Sequence, residues 1–302
     1  MLTSLSLIFL VGLSLAAICE KIRLPRIVGM IATGILFGPY ILDWLDPQIL
    51  GISSELRQSA LIIILIKAGL SLDLSDLKKV GRPAVLMSFL PASFEILGYV
   101  LFAPLLFGVS RIEAAVMGAV LGAVSPAVVI PRMLRLTEEK RGTEKSIPQL
   151  IMAGASCDDI FVIVLFTAFL GMAQGGKARL LDLINIPVSI LLGVAIGAAV
   201  DIRYTLSAGI AAVGMIFIAL LFRAVGTALC LVGTPLSMKE RLFCIIAYLP
   251  KATVQAAIGS VPLAMGLSCG SIVLSVAVLG ILITAPLGAL GIDLTYKKLL
   301  EE

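Results

Sequence analysis

Apolar positions in this chain do not alternate with polar ones at the period of a half-buried strand or surface helix. They run in long blocks separated by short polar connections. Ten blocks are legible, at about 3–19, 27–42, 58–72, 83–108, 114–134, 147–174, 183–200, 205–233, 241–265 and 270–292. A helix of about 20 apolar residues crosses a hydrocarbon core about 30 Å thick, and helices that are apolar all round belong in lipid. With connections this short, the pattern predicts an all-α, polytopic membrane protein forming one transmembrane domain over 1–302.

Two blocks are interrupted. GAVSPAVVIP (122–131) carries Pro126 and Pro131, and AYLPKATVQAAIG (247–259) carries Pro250. Proline removes a rung from the helical ladder, and non-helical backbone at membrane depth persists only where protein or a water-filled cavity surrounds it. P-A-V-V and P-K-A-T-V recur about 125 residues apart, a faint sign of an internal repeat. Ordinary proline kinks fit this pattern, and so do the paired interrupted helices that form a transporter's midplane site.

Five charges stand out within the blocks: Glu95, Asp158, Asp159, Arg223 and Lys251. Each costs about 2.5–3.5 kcal/mol at bilayer depth, so such residues face a cavity or one another. Lys67 lies nearer a block end and can snorkel to the surface. Three carboxylates against two cations leave one negative charge over. A proton or a small hard cation can neutralise it, each expelling the other, which is the minimal machinery of exchange. Adjacent helical residues point about 100° apart, so Asp158 and Asp159 are not equivalent: one can hold a partner while the other titrates. A static scaffold of ion pairs is the competing reading of the same five charges.

Basic residues mark the cytoplasmic loops of membrane helices. Lys21, Arg23 and Arg26 point inward, as do Lys78, Lys79 and Arg82, then Arg132, Arg135, Lys140, Arg141 and Lys145; Arg57 and Arg111 stand alone in the loops between. The N-terminus is thereby placed outside. Beyond residue 175 the alternation fails, because ten strict crossings put Lys239, Arg241, Lys297 and Lys298 outside. A re-entrant hairpin, a deletion scar or missing helices around 183–204 would each restore it.

Composition narrows the chemistry. The 302 residues are 60% apolar and 14% charged, with a mean hydropathy of +1.12, values outside the soluble range. The five cysteines show no pairing or ligand spacing, and without histidine any proton chemistry falls on carboxylates, Lys or Tyr. A net charge of +4 spread over short loops orients helices and implies no nucleic-acid partner. Residues 3–18 lack the preceding positive charge of a signal peptide and read as a retained first helix.

Taken together, ASCDD (155–159), the SPAVV break (125–129) and PKATVQAAIG (250–259) resemble the monovalent cation:proton antiporter family, specifically its NHA-type sodium/proton exchangers. The resemblance runs from KIRLPRIVGMIATGILFGP (21–39) through KAGLSLDL (67–74) to MKERLFCIIAYLPKATVQAAIG (238–259). It implies that Asp158 and Asp159 bind the cation (Na+ or Li+) and the proton. It also implies that Arg223 is their basic partner, that Glu95 pairs with this arginine, and that Lys251 offsets the negative ends of unwound backbone. Ser125 and Pro126 fall on the first broken helix and Pro250 on the second. The implied fold has two inverted repeats with crossed discontinuous helices. Core helices lie at about 83–174 and 205–292, dimerisation helices at about 1–72, and the molecule is a homodimer. Family members carry additional helices between the equivalents of Gly197 and Ala198, where GVAIG here runs straight into AAVDIRY, so the fold is expected to be incomplete around 183–204.

The function expected is secondary antiport of Na+ or Li+ against H+, without a cofactor, in a lipid bilayer taken to be a bacterial inner membrane and serving pH homeostasis. Three alternatives stand beside it. A shortened, transport-inactive dimer-forming relative has the same motifs. A cation channel favours a symmetric ring of charges. An intramembrane aspartyl protease needs its two carboxylates on separate helices, which adjacent aspartates do not supply.

Overall fold

Helices α1 (Leu2–Lys21) and α2 (Arg26–Phe37) form an antiparallel hairpin. Their crossing is tight at Gly29, where a Cβ would stand 2.6 Å from the Leu15 carbonyl carbon. The computed structural model describes residues 2–22, 24–49, 51–52, 80–175 and 209–301. The segments expected at 58–72 and 183–200, with Lys67 and the junction at 183–204, lie outside the described residues.

From residue 82 the chain continues as α3 (Arg82–Met87), α4 (Leu90–Phe107), α5 (Arg111–Leu121), α6 (Pro126–Glu138) and α7 (Ile147–Ala173). Then follow α8 (Gly209–Cys230), α9 (Met238–Ala247), α10 (Thr253–Ile258), α11 (Val261–Ala264) and α12 (Gly270–Leu299). No strand occurs among the described residues. Six stretches there are long and apolar enough to cross a membrane: Thr3–Lys21, Arg82–Phe107, Arg111–Glu138, Ile147–Ala173, Gly209–Cys230 and Gly270–Leu299. The block expected as one helix over 83–108 is parted at Ser88 and Phe89, ahead of Pro91. It ends on Gly108, whose φ of 67° supplies the left-handed cap.

Helix α4 packs along α8 and α5, α5 along α7, and α9 along α12. Ile96, Tyr99, Met117, Phe166 and Met215 fill one cluster between them, and Met87, Met133, Leu136, Phe243 and Tyr248 another. Leucines such as Leu105 and Leu221 remain exposed on the outer faces, where hydrocarbon is the solvent.

Both proline-bearing blocks are interrupted. Residues 122–125 separate α5 from α6, and residues 248–252 separate α9 from α10. Each interrupted helix opens with the same device, a Ser-x-x-Glu box 127 residues from its counterpart. Ser110 and Glu113 cap α5, and Ser237 and Glu240 cap α9, through reciprocal backbone bonds of 2.7–3.3 Å. Each capping glutamate also reaches the loop ahead of a long helix. Glu113 accepts from Ser268 before α12, and Glu240 accepts from Lys145 Nζ at 2.9 Å before α7. The paired boxes are a second sequence likeness between the two stretches, stronger than the shared P-A-V-V and P-K-A-T-V.

The Glu240 carboxyl is partly desolvated, which pushes its pKa up. Bonds from Lys145 and Ser237 outweigh that and hold it below the ordinary carboxylate range. A group depressed on folding contributes stability that is present above its unfolded pKa and lost as pH falls through the folded one. Acidification below pH ~4 is therefore expected to lower the melting temperature through this contact. In Lys145→Met the same acid step should have a smaller effect, as read by thermal unfolding in detergent across pH.

Glycines admit the long helices to the second break. A Cβ on Gly154 of α7 would lie 2.2 Å from the Tyr248 hydroxyl, and one on Gly288 of α12 would lie 2.3 Å from Pro250 Cγ. Overpacking of this kind costs about 1–3 kcal/mol. Gly154→Ala is expected to lower the melting temperature and to disturb the Tyr248 backbone; Gly171→Ala, with open space around its Cβ, serves as the neutral control.

Candidate functional site

A helix end leaves four carbonyls or four amides without intrahelical partners, and here two helices end near the centre of the molecule. The two breaks satisfy each other in part: Ser125 N donates to Pro250 O at 2.8 Å, and Gln255 Nε2 donates to Ala123 O at 2.8 Å. The Val124 amide goes to Asp158 Oδ2 at 2.8 Å, and the Lys251 amide to Thr284 Oγ1 at 2.9 Å.

Arg223, fully buried on α8, serves both breaks with one guanidinium. Its Nε donates to Tyr248 O at 2.6 Å and its Nη1 to Gly122 O. The same group meets Glu95 Oε2 of α4 at 2.9 Å through Nη1, and Asp158 Oδ2 of α7 at 2.9 Å through Nη2. It also lies 5.3 Å from the centre of the Tyr248 ring. A planar fork of five donors can meet four acceptors at once, which an ammonium cannot. Lys251, the second buried cation, places its ammonium on Glu95. The resemblance implied that Lys251 balances the unwound backbone; in the structure its ammonium meets Glu95, while Arg223 takes the Gly122 and Tyr248 carbonyls.

Both cations are spent on Glu95 and Asp158, so the surplus negative charge falls on Asp159. That side chain is 1% exposed, and neither carboxylate oxygen has a hydrogen-bond partner. Four residues of the breaks and the helices beside them, Asp159, Asp158, Ser125 and Gln255, carry five buried, unpartnered oxygens: both of Asp159, Asp158 Oδ1, Ser125 Oγ and Gln255 Oε1. Ser125 stands at the N-cap of α6, where a hydroxyl ordinarily bonds a first-turn amide, yet it makes no capping bond. Buried polar atoms left in this way require an explanation, and a set consisting of oxygens alone suits a hard cation. Gln255 and Thr284 escaped the reading of the sequence. A glutamine five residues beyond Pro250 was a legible signal, whereas a threonine in an apolar helix was not.

A cavity of about 960 Å³ lies between α2, α6, α10 and α12, and Ala127, Val128, Ala252 and Thr253 form part of its wall. These residues lie at or just beyond the two breaks, so the cavity leads to the neighbourhood of the site.

Comparison with known proteins yields one family. The model described as "Sodium/hydrogen exchanger, transmembrane" matches residues 5–210. Sodium/hydrogen exchanger 9B2 of Xenopus tropicalis is 30% identical, over 96% of this chain and 72% of its own length. The human protein of that name is 31% identical over 92% and 70%. Among solved structures, the sodium proton antiporter MjNhaP1 of Methanocaldococcus jannaschii superposes with a TM-score of 0.72, covering 100% of this chain and 99% of its own. At 17% identity that match speaks for the fold. The alignment to the frog relative spans 389 positions, whereas 96% of this chain is about 290 residues, so about 99 positions of the relative have no counterpart here.

Proposed function

As a member of the transmembrane sodium/hydrogen exchanger family, this integral, multi-pass chain is, we propose, a secondary antiporter that exchanges Na+ (or Li+) for H+ by alternating access at Asp158 and Asp159. One observation carries the reading: a buried carboxylate, Asp159, has no donor, beside a neighbour that is already paired. An ionised carboxylate in that position needs a counterion. A proton on Asp159 leaves the site neutral; when a cation enters, the proton departs and the cation takes its place. Asp158 Oδ1, Ser125 Oγ and Gln255 Oε1 are free to complete the ion's shell.

Arg223 does not give up its proton at cellular pH, so it acts as a fixed charge. Glu95, Asp158, Arg223 and Lys251 then balance among themselves, and the exchange becomes one cation for one proton at Asp159. Flux on this scheme generates no membrane potential. The core helices, about 83–174 and 205–292, move against the dimerisation helices at about 1–72 within a homodimer, presenting the site to each side in turn. The N-terminus lies outside, and the membrane is a bacterial inner membrane.

The test is cation-induced proton movement in proteoliposomes carrying this chain, followed with an entrapped pH dye. Addition of Na+ or Li+ should alkalinise or acidify the lumen according to the imposed gradient; a trace identical to that of empty liposomes overturns the proposal. A second reading, a transport-inactive dimer-forming relative, draws on the roughly 99 relative positions missing here. It predicts a flat trace from a protein that still migrates as a dimer.

A further inference from the structure

The lining of the large cavity is unlike that of a simple cation path. Arg26 of α2, Arg132 and Arg135 of α6 and Lys297 of α12 face it, together with Glu20 and Asp293. Four cations thus meet two carboxylates. Glu20 is taken by Arg26 at 2.6 Å, Asp293 is shared by Arg132 at 3.2 Å and Arg135 at 3.5 Å, and Arg135 also meets Glu139, just outside the lining, at 3.3 Å. Arg135 and Lys297 both lie over the Tyr296 ring, at 5.2 and 5.8 Å.

We infer that this cavity binds the phosphate headgroup of an anionic phospholipid. With Glu139 counted, three carboxylates stand against four cations, so one positive charge is surplus, and the guanidinium fork matches phosphate oxygens. Lys297 and Arg135 stand in the last turns of α12 and α6, at the ends of membrane-crossing stretches, which is the depth of headgroups. About 960 Å³ is far more room than a lone phosphate occupies. Apolar side chains, Met30 and Leu294 among them, line the remaining wall and stay exposed, as suits glycerol and the upper acyl chain. Basic pockets between membrane helices recognise anionic headgroups in this way. Resting on the exchange reading, one consequence follows. The headgroup cancels the cavity's surplus positive charge, so cations collect at the inner end beside the breaks, and the apparent affinity for Na+ on that face rises.

The binding is tested on the purified full chain in neutral detergent by native mass spectrometry and thermal unfolding. Phosphatidylglycerol, phosphatidylcholine and inorganic phosphate are added separately. Phosphatidylglycerol should be retained and raise the melting temperature, and the other two should not. The double variant Arg26→Gln, Lys297→Gln removes two cations from exposed positions and leaves Asp293 paired. It should melt like the parent in detergent alone yet retain phosphatidylglycerol several-fold less. Equal retention by the variant, or equal retention of phosphatidylcholine, overturns the site; a matching shift with inorganic phosphate overturns the lipid source. In proteoliposomes, an apparent KM for Na+ that is lower in phosphatidylglycerol than in phosphatidylcholine, for the parent and not for the variant, supports the consequence. Selective lipid retention with no exchange in either membrane defeats the exchange reading and leaves the lipid site standing.

Discussion

Asp159→Asn is expected to abolish cation-driven proton movement in proteoliposomes, bringing it down to the leak of empty vesicles, while the purified protein melts no lower than the parent. The amide can neither release a proton nor offer a charge to the entering ion. Removing a buried carboxylate that has no donor also relieves a cost to folding, since both Asp159 oxygens lack partners. Asp158→Asn should also lose exchange, but by another route. Its Oδ2 accepts from Arg223 and from the Val124 amide, so the variant leaves a buried guanidinium short of an anion and should melt lower. The pair of melting temperatures therefore assigns the two roles even where both variants are silent in transport. Full exchange by Asp159→Asn, or a fall in its melting temperature equal to that of Asp158→Asn, would place the free charge elsewhere.

Arg223→Ala is expected to have the largest effect on folding. It strips the counterion from Asp158, leaves Glu95 with Lys251 alone, and orphans the Gly122 and Tyr248 carbonyls. Breaking one buried pair costs about 3–5 kcal/mol, and each unsatisfied buried polar group about 1–3 kcal/mol more. Arg223→Ala should therefore accumulate poorly or unfold well below the parent by fluorescence-detected melting in detergent. Arg223→Lys should fall between them, because an ammonium keeps the charge but cannot span the acceptors of both breaks. If Arg223→Ala melts with the parent, the guanidinium does not hold the breaks together. The Glu95 contact can be separated from the rest with Glu95→Gln, which leaves Arg223 its Asp158 and carbonyl partners.

Much of the candidate site was visible in the linear sequence. Charges buried in apolar blocks stand out against their neighbours, and Asp158, Asp159, Glu95, Arg223 and Lys251 were legible for that reason alone. Prolines in two blocks marked where the helices part. The partnering was not legible. Arg223 meets Gly122 across 101 positions, and Lys251 meets Glu95 across 156; no local pattern encodes which cation takes which anion. Lys251 lies within the second break and Arg223 on a separate helix, yet Arg223 takes the Gly122 and Tyr248 carbonyls because its fork spans both breaks. Ser88 and Phe89 part the 83–108 block just ahead of Pro91, a proline that the reading of the sequence passed over.

The sequence by itself determined that the chain crosses a membrane as helices, where the two interruptions fall, and that three acids stand against two bases among the charges set deepest in the apolar blocks. Each of these is local, because in lipid every residue must be apolar or specifically compensated and every backbone group must find a partner nearby. Only the tertiary structure decided that the unmatched charge is that of Asp159, since the two cations reach Glu95 and Asp158 from distant helices and neither reaches Asp159.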